Sequence, residues 1–226
     1  LAAEQPSYAF AEVADAPCLE AQGLGHPLLA GERRVVNDVS LPGPGHVLVV
    51  TGSNMSGKST LLRALGLAAV MALAGGPACA ARLRIGPLRV ATSMRIRDSL
   101  EAGVSHFYAE VTALKRVLDL ARAGEPLLFL LDEILHGTNS RERLIGARTV
   151  VAELVRLGAL GAVSTHDLGL ADLEERLEGK ARNVHFQEQV EGDRMTFDYC
   201  LRPGVVTSSN ALRLMRMVGI DVPLDG

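Results

Sequence analysis

The sequence predicts an α/β fold, with a mostly parallel central sheet flanked by helices and an additional antiparallel β portion. Three observations predict it. Residues 46–51, 127–131 and 159–164 are compact apolar runs of strand length, the pattern of strands buried on both faces. Between the last two, Leu144, Ile145, Ala147, Val151, Leu154 and Val155 recur near helical spacing with charges mostly opposite, which makes a strand-helix-strand unit. Farther on, the strand-like runs 183–190 and 194–201 flank Glu191-Gly192-Asp193, a turn that predicts a hairpin.

In chain order, residues 1–46 carry scattered Pro, Gly and acidic residues with short apolar pieces such as Val35-Val36, which predicts short strands or irregular structure. The run 46–51 ends at Gly52 and delivers the chain to a glycine turn, with a helix beginning near Lys58. The longest apolar stretch, 61–81, is interrupted by Arg63 and Gly75-Gly76-Pro77, so it reads as a buried helix followed by a turn and not as a membrane span. Helices are also predicted over 107–120, 141–157 and 208–217, and no internal repeat is present.

At 226 residues the chain fits one main core, and 48% hydrophobic with 22% charged residues is the profile of a folded soluble protein. A formal charge of -3 leaves no overall basic excess to neutralise nucleic-acid phosphates, so any DNA contact comes from elsewhere. Cys18, Cys79 and Cys200 are far apart without metal-ligand spacing, which predicts reduced thiols in a cytoplasmic protein. Without an initiator Met or a secretory signal, the chain reads as part of a longer parent, with 1–22 a lead-in and 23–226 the main domain. The chain itself offers no membrane contact; a parent with upstream spans would be membrane-anchored.

The segment Gly52-Ser53-Asn54-Met55-Ser56-Gly57-Lys58-Ser59-Thr60 fits Gly-x-x-x-x-Gly-Lys-Ser, the P-loop pattern, between a buried strand and a helix as the mechanism requires. Glycines let backbone N–H groups turn inward around phosphate oxygens, and the following helix adds the positive end of its dipole. Lys58 would bring a full charge to the β and γ phosphates, and the Ser59 hydroxyl would coordinate Mg²⁺. These residues predict ATP as ligand.

Asp132 and Glu133 end the second buried strand, where open α/β sheets bind ligands. On their own such residues could cap a helix; beside a phosphate loop they predict a metal ligand, Asp132, and a carboxylate, Glu133, that orients the attacking water. His166, after the third buried strand, is placed to sense the γ-phosphate or hold that water.

Thr51-Gly-Ser-Asn-Met-Ser-Gly-Lys-Ser-Thr60, Asp132-Glu-Ile-Leu-His-Gly-Thr-Asn-Ser140 and Ser164-Thr-His-Asp167 together resemble the ATPase domain of the MutS mismatch-repair family, over residues 23–220. The resemblance implies an ABC-type ATPase fold in which two domains face each other and share composite sites, hence a homodimer. The family's loop reads close to Thr-Gly-Pro-Asn-Met-Gly-Gly-Lys-Ser-Thr, so Ser53 and Ser56 depart from it while Asn54-Met55 keep its distinguishing pair.

Residues 98–110 are similar to the family's signature segment, which makes Ser105 the residue reaching the opposite subunit's γ-phosphate. The resemblance also implies that residues 137–140 cross the dimer interface, with Asn139 a departure, and that an aromatic meets adenine near residues 34–38. Here the chain offers Arg34 and Val35, with Arg34 as the stacking group. The mismatch-reading, connector and clamp regions and the C-terminal helix-turn-helix of a full MutS protein are missing from this chain, so DNA and other repair proteins would be met mostly through regions outside it. The Leu135-His-Gly-Thr-Asn-Ser-Arg141 variant points to a divergent MutS-related branch.

The leading expectation is Mg²⁺-dependent ATP hydrolysis that switches a dimer between conformations handling DNA. The alternatives are a nucleotide-gated dimerisation module with negligible hydrolysis and an unrelated ABC-type ATPase; the missing Leu-Ser-Gly-Gly-Gln signature argues against the latter.

Overall fold

The computed structural model describes residues 8–29, 31–94, 106–191 and 194–206. Its centre is strand β4 (Val47–Thr51), every residue of which is buried. Parallel partners lie on both sides, β8 (Leu160–Thr165) and β9 (Ala181–His185). Beyond β8 come β7 (Leu127–Asp132) and β6 (Arg89–Ser93), both parallel, and β12 (Arg202–Pro203) adds an antiparallel edge beside β9. The chain is therefore a mixed α/β protein with a parallel-rich sheet flanked by helices.

Side-chain alternation explains why these strands read as unbroken apolar runs. Leu48, Val50, Leu128 and Leu130 face one core, shared with helix α1 (Lys58–Leu73). Val47, Val49, Leu127, Phe129 and Leu131 face a second core, covered by α2 (His106–Arg122) and α3 (Ser140–Arg156). With helices on both sides, both faces are lined by apolar residues along most of each strand, and polar ones appear at the carboxyl ends, Thr51, Asp132 and Ser164.

Small residues set how closely α1 lies on the sheet and how β8 fits beside β7. A Cβ on Gly66 of α1 would lie 2.9 Å from Leu130 Cδ1, and one on Gly161 of β8 would lie 2.1 Å from the Phe129 carbonyl oxygen. The helix over 141–157 is observed as α3, and Asn139 caps it by accepting from the Glu142 N–H at 2.9 Å. The segment predicted over 107–120 is α2.

A second, four-stranded sheet of order β1-β5-β2-β3 forms from β1 (Glu12–Val13), β2 (Leu19–Leu24), β3 (Asn37–Leu41) and β5 (Arg82–Ile85). Strand β2 starts ahead of the expected boundary at 23, and its Leu19 and Ala21 belong to the α1-side core. The sequence reading did not foresee β5 and β6, which are short and carry charged residues at alternate or edge positions.

The hairpin expectation needs correction. Residues 183–185 belong to β9 in the main sheet, and only β10 (Glu188–Glu191) and β11 (Arg194–Phe197) pair as antiparallel neighbours. The reason is burial of Asn183, whose Nδ2 donates to Ala171 O at 2.8 Å and Glu174 Oε2 at 2.7 Å, partners that local sequence does not reveal. The helix predicted over 208–217 lies outside the described residues. Among the described residues no helix is long and apolar enough to cross a membrane.

Candidate functional site

Register brings the carboxyl ends of the parallel strands together, with Thr51 opposite both Thr165 and His185 and Asp132 opposite Ser164. The glycine loop 52–57 leaves β4 at this edge. Gly52 has φ 141° and Gly57 φ 114°, and a Cβ on Gly52 would sit 2.7 Å from Phe186 O and 2.9 Å from Ser56 Oγ. Both positions therefore require glycine. Met55, φ 68°, stands 85% exposed at the loop's crest, and Ser56 Oγ is buried with no partner among the described residues.

Lys58 opens α1 and is only 4% exposed. Its Nζ donates to Gly52 O at 2.8 Å and Ser53 O at 2.9 Å and lies 3.2 Å from Glu133 Oε1. An ammonium tethered to two carbonyls and one carboxylate can exchange them for an anionic ligand without leaving the loop. One residue on, Ser59 Oγ donates to Asp132 Oδ1 at 3.0 Å.

Asp132 is held from the other side by Ser164, whose Oγ donates to the same Oδ1 at 2.5 Å. The Glu133 N–H reaches Ser164 O at 3.1 Å and Ser164 Oγ at 3.2 Å, so β8 sets the pose of both carboxylates. Glu133 has φ 49° and Leu135 φ 63°, a turn fastened by the buried Glu110 of α2, which accepts from the Leu135 N–H.

Two histidines face the Glu133 carboxylate. His136 Nε2 lies 3.3 Å from Oε2 and His166 Nδ1 lies 3.8 Å from Oε1, and the rings stack with centroids 5.2 Å apart. Burial would raise the Glu133 pKa, but the charge and hydrogen bond of Lys58, helped by His166 and then His136, hold it below the ordinary carboxylate value. Glu133 is thus an ionised carboxylate between a lysine and two imidazoles. The sequence reading gave His136 no role, because its contacts with Glu133 and His166 form only in the fold.

Beside Gly57 and Thr60 opens a cavity of about 650 Å³, with Leu24, His26, Val35, Phe197 and Tyr199 in its wall. Phe197 and Tyr199 stack at 6.0 Å. Burial, and then Arg63, keep the His26 imidazole below its ordinary pKa. Val35 is in this wall; Arg34 is not. The Arg34 Nε donates to Leu29 O at 2.5 Å and its guanidinium lies 5.6 Å from the Tyr8 ring centroid. Its partner Leu29 and its neighbours Arg33 and Val35 do line the cavity. The stacked aromatics in the cavity wall, Phe197 and Tyr199, come from the end of β11 and just beyond it, far along the chain from segment 34–38.

The structure thus brings together Gly52, Ser53, Asn54, Met55, Ser56, Gly57, Lys58, Ser59 and Thr60 with Asp132, Glu133 and His166 at one sheet edge. Ser105 lies outside the described residues. A comparison with known families decides what this edge belongs to, since residues 48–224 match the model of MutS domain V. The chain belongs to the MutS family. Domain V is that family's C-terminal ATPase domain, and the matched span runs from β4 past β12, so the whole main sheet except the first residue of β4 falls within it. MutS proteins bind ATP and work as dimers with DNA.

Proposed function

We propose that this chain is an ATP-binding, ATP-hydrolysing domain of a MutS-family protein, a P-loop NTPase of the ABC-ATPase type that couples ATP turnover to the conformation of a dimer handling DNA. The observation that supports it most is the meeting of Ser59 and Asp132 at 3.0 Å, with Lys58 and Glu133 at 3.2 Å beside them. Hard oxygen donors from two segments converge where the loop would present a triphosphate, a donor set that suits Mg²⁺. When bound, Mg²⁺ would neutralise charge on the phosphate oxygens, with Ser59 and Asp132 as the protein groups holding it.

The chain's own residues supply the remaining steps. Loop N–H groups and Lys58 bind the phosphates, the cavity at Val35 and Tyr199 takes the base, and Glu133, ionised, orients the attacking water. His166 steadies the γ-phosphate end. Ser105 completes the site of the opposite subunit, so turnover requires a homodimer, and DNA is contacted through regions outside this chain. Phosphate release with ATP and Mg²⁺ tests the reading: turnover is expected in the wild type and lost in Lys58→Ala and Glu133→Gln, and normal turnover in both variants would refute the assignment.

A further inference from the structure

We infer that Glu188 is a positioning residue for the glycine loop, acting through Ser53, and that the segment carrying it couples the phosphate end of the candidate site to its base end. The inference rests on the reading of that loop as the triphosphate cradle.

Glu188 begins β10, is only 5% exposed, and its Oε2 accepts from Ser53 Oγ at 2.7 Å across 135 residues of sequence. Ser53 is bound at both ends, because its carbonyl accepts from Lys58 Nζ at 2.9 Å and from the Ser56 N–H at 3.4 Å. A charge-assisted bond to a buried carboxylate therefore fixes the residue that also holds the loop's lysine.

The chain around Glu188 touches the loop at further points. Phe186 O lies 2.7 Å from where a Gly52 Cβ would be, and the space beside Gly57 is closed by Tyr199 Cδ1 at 3.4 Å and Phe186 Cε1 at 3.7 Å. Past β11, Asn37 anchors the same segment, its Oδ1 accepting from Leu201 N at 2.7 Å and its Nδ2 donating to Tyr199 O at 3.1 Å. Residues 186–191 and 194–199 thus strap the loop, with Glu188 at the phosphate end and Tyr199 in the wall of the base cavity.

A loop released from Glu188 samples more conformations, and ordering it weakens nucleotide binding without touching the reacting atoms. The charge of Glu188 acts in the opposite sense, since a carboxylate near a triphosphate repels it. The two effects make opposite forecasts for Glu188→Ala: positioning predicts weaker binding, charge repulsion predicts tighter binding.

The test measures ATP affinity with Mg²⁺ by equilibrium titration, together with KM and kcat. Expected are about a tenfold rise in Kd and KM for Glu188→Ala with kcat within about twofold, and a similar rise in Kd for Ser53→Ala. Ser53→Ala/Glu188→Ala is expected to be no weaker than the single variants, because both changes remove the same bond. Glu188→Gln keeps an acceptor for Ser53 and is expected to bind at least as tightly as the wild type. Tighter binding by Glu188→Ala, additive losses in the double variant, or a Glu188→Gln as weak as Glu188→Ala would each overturn the inference while ATP binding by the wild type and its loss in Lys58→Ala still upheld the loop's reading. A wild type that binds no ATP would overturn both.

Discussion

Ser59 Oγ and Asp132 Oδ1 are hydrogen-bonded at 3.0 Å although 73 residues separate them in the chain. The bond joins the first turn of α1 to the end of β7, strands apart in the sheet, and Ser164 of the intervening β8 holds the same oxygen at 2.5 Å. A three-segment junction of this kind fixes the pose of Asp132, the carboxylate proposed to hold Mg²⁺.

Asp132→Ala is therefore expected to abolish the response to Mg²⁺. Phosphate release titrated against Mg²⁺ should stay flat and fall at least about 100-fold below the wild-type plateau. An unchanged Mg²⁺ curve would remove Asp132 from the metal site.

Glu133→Gln separates binding from chemistry. The amide keeps the shape but cannot polarise water, so ATP affinity is expected to stay within a few-fold while kcat falls by about 10² to 10⁴. Equilibrium binding and single-turnover hydrolysis on one preparation check both halves.

Tyr199→Ala should raise the Kd for ATP by about tenfold, the scale of one lost base-aromatic stack. Arg34→Ala, which removes a side chain that donates to Leu29 O and lies over Tyr8 without itself lining the cavity, should leave it within about twofold. Reversed outcomes would return the base to the Arg34 side.

How far these features were legible in the sequence follows from the range over which each is determined. Strands β4, β7 and β8 stood out because burial on both faces leaves only their carboxyl ends polar, and the loop stood out because Gly52 and Gly57 need backbone angles that other residues resist. Asp132 and Glu133 were legible as charges ending an apolar run. Strand β9 was not, because Asn183 is buried only by virtue of Ala171 and Glu174. Neither was the cavity beside Gly57, whose Phe197 and Tyr199 arrive from the end of β11 and just past it, nor His136, which meets Glu133 and His166 only in the fold. Local pattern fixes an element; partners distant in sequence fix its role.

Gly161 is another position whose demand is invisible locally. A Cβ there would meet the Phe129 carbonyl oxygen at 2.1 Å and the ring at 2.6 Å, both inside the sheet. Gly161→Ala is expected to cost about 2 kcal/mol or more and lower Tm by about 4–8 °C in a thermal melt.

Asp198 sets a pH dependence. Hydrogen bonds from Arg202 are the main cause that lowers its pKa; burial opposes them, and the Cys200 N–H helps. A lowered folded pKa means that the stabilisation is present above the ordinary carboxylate range and is lost as pH falls through the lowered value. Thermal melts should show the wild type more stable than Asp198→Asn near neutral pH, with the gap closing in acid. A gap that widens in acid would contradict the sign.

The most direct test of the central claim is a crystal structure of the protein grown with Mg²⁺ and a slowly hydrolysed ATP analogue. The account predicts the triphosphate wrapped by residues 52–59, with Mg²⁺ between Ser59 and Asp132 and Glu133 facing the γ-phosphate. A triphosphate bound away from that loop, or a metal ion held without either oxygen, would contradict it.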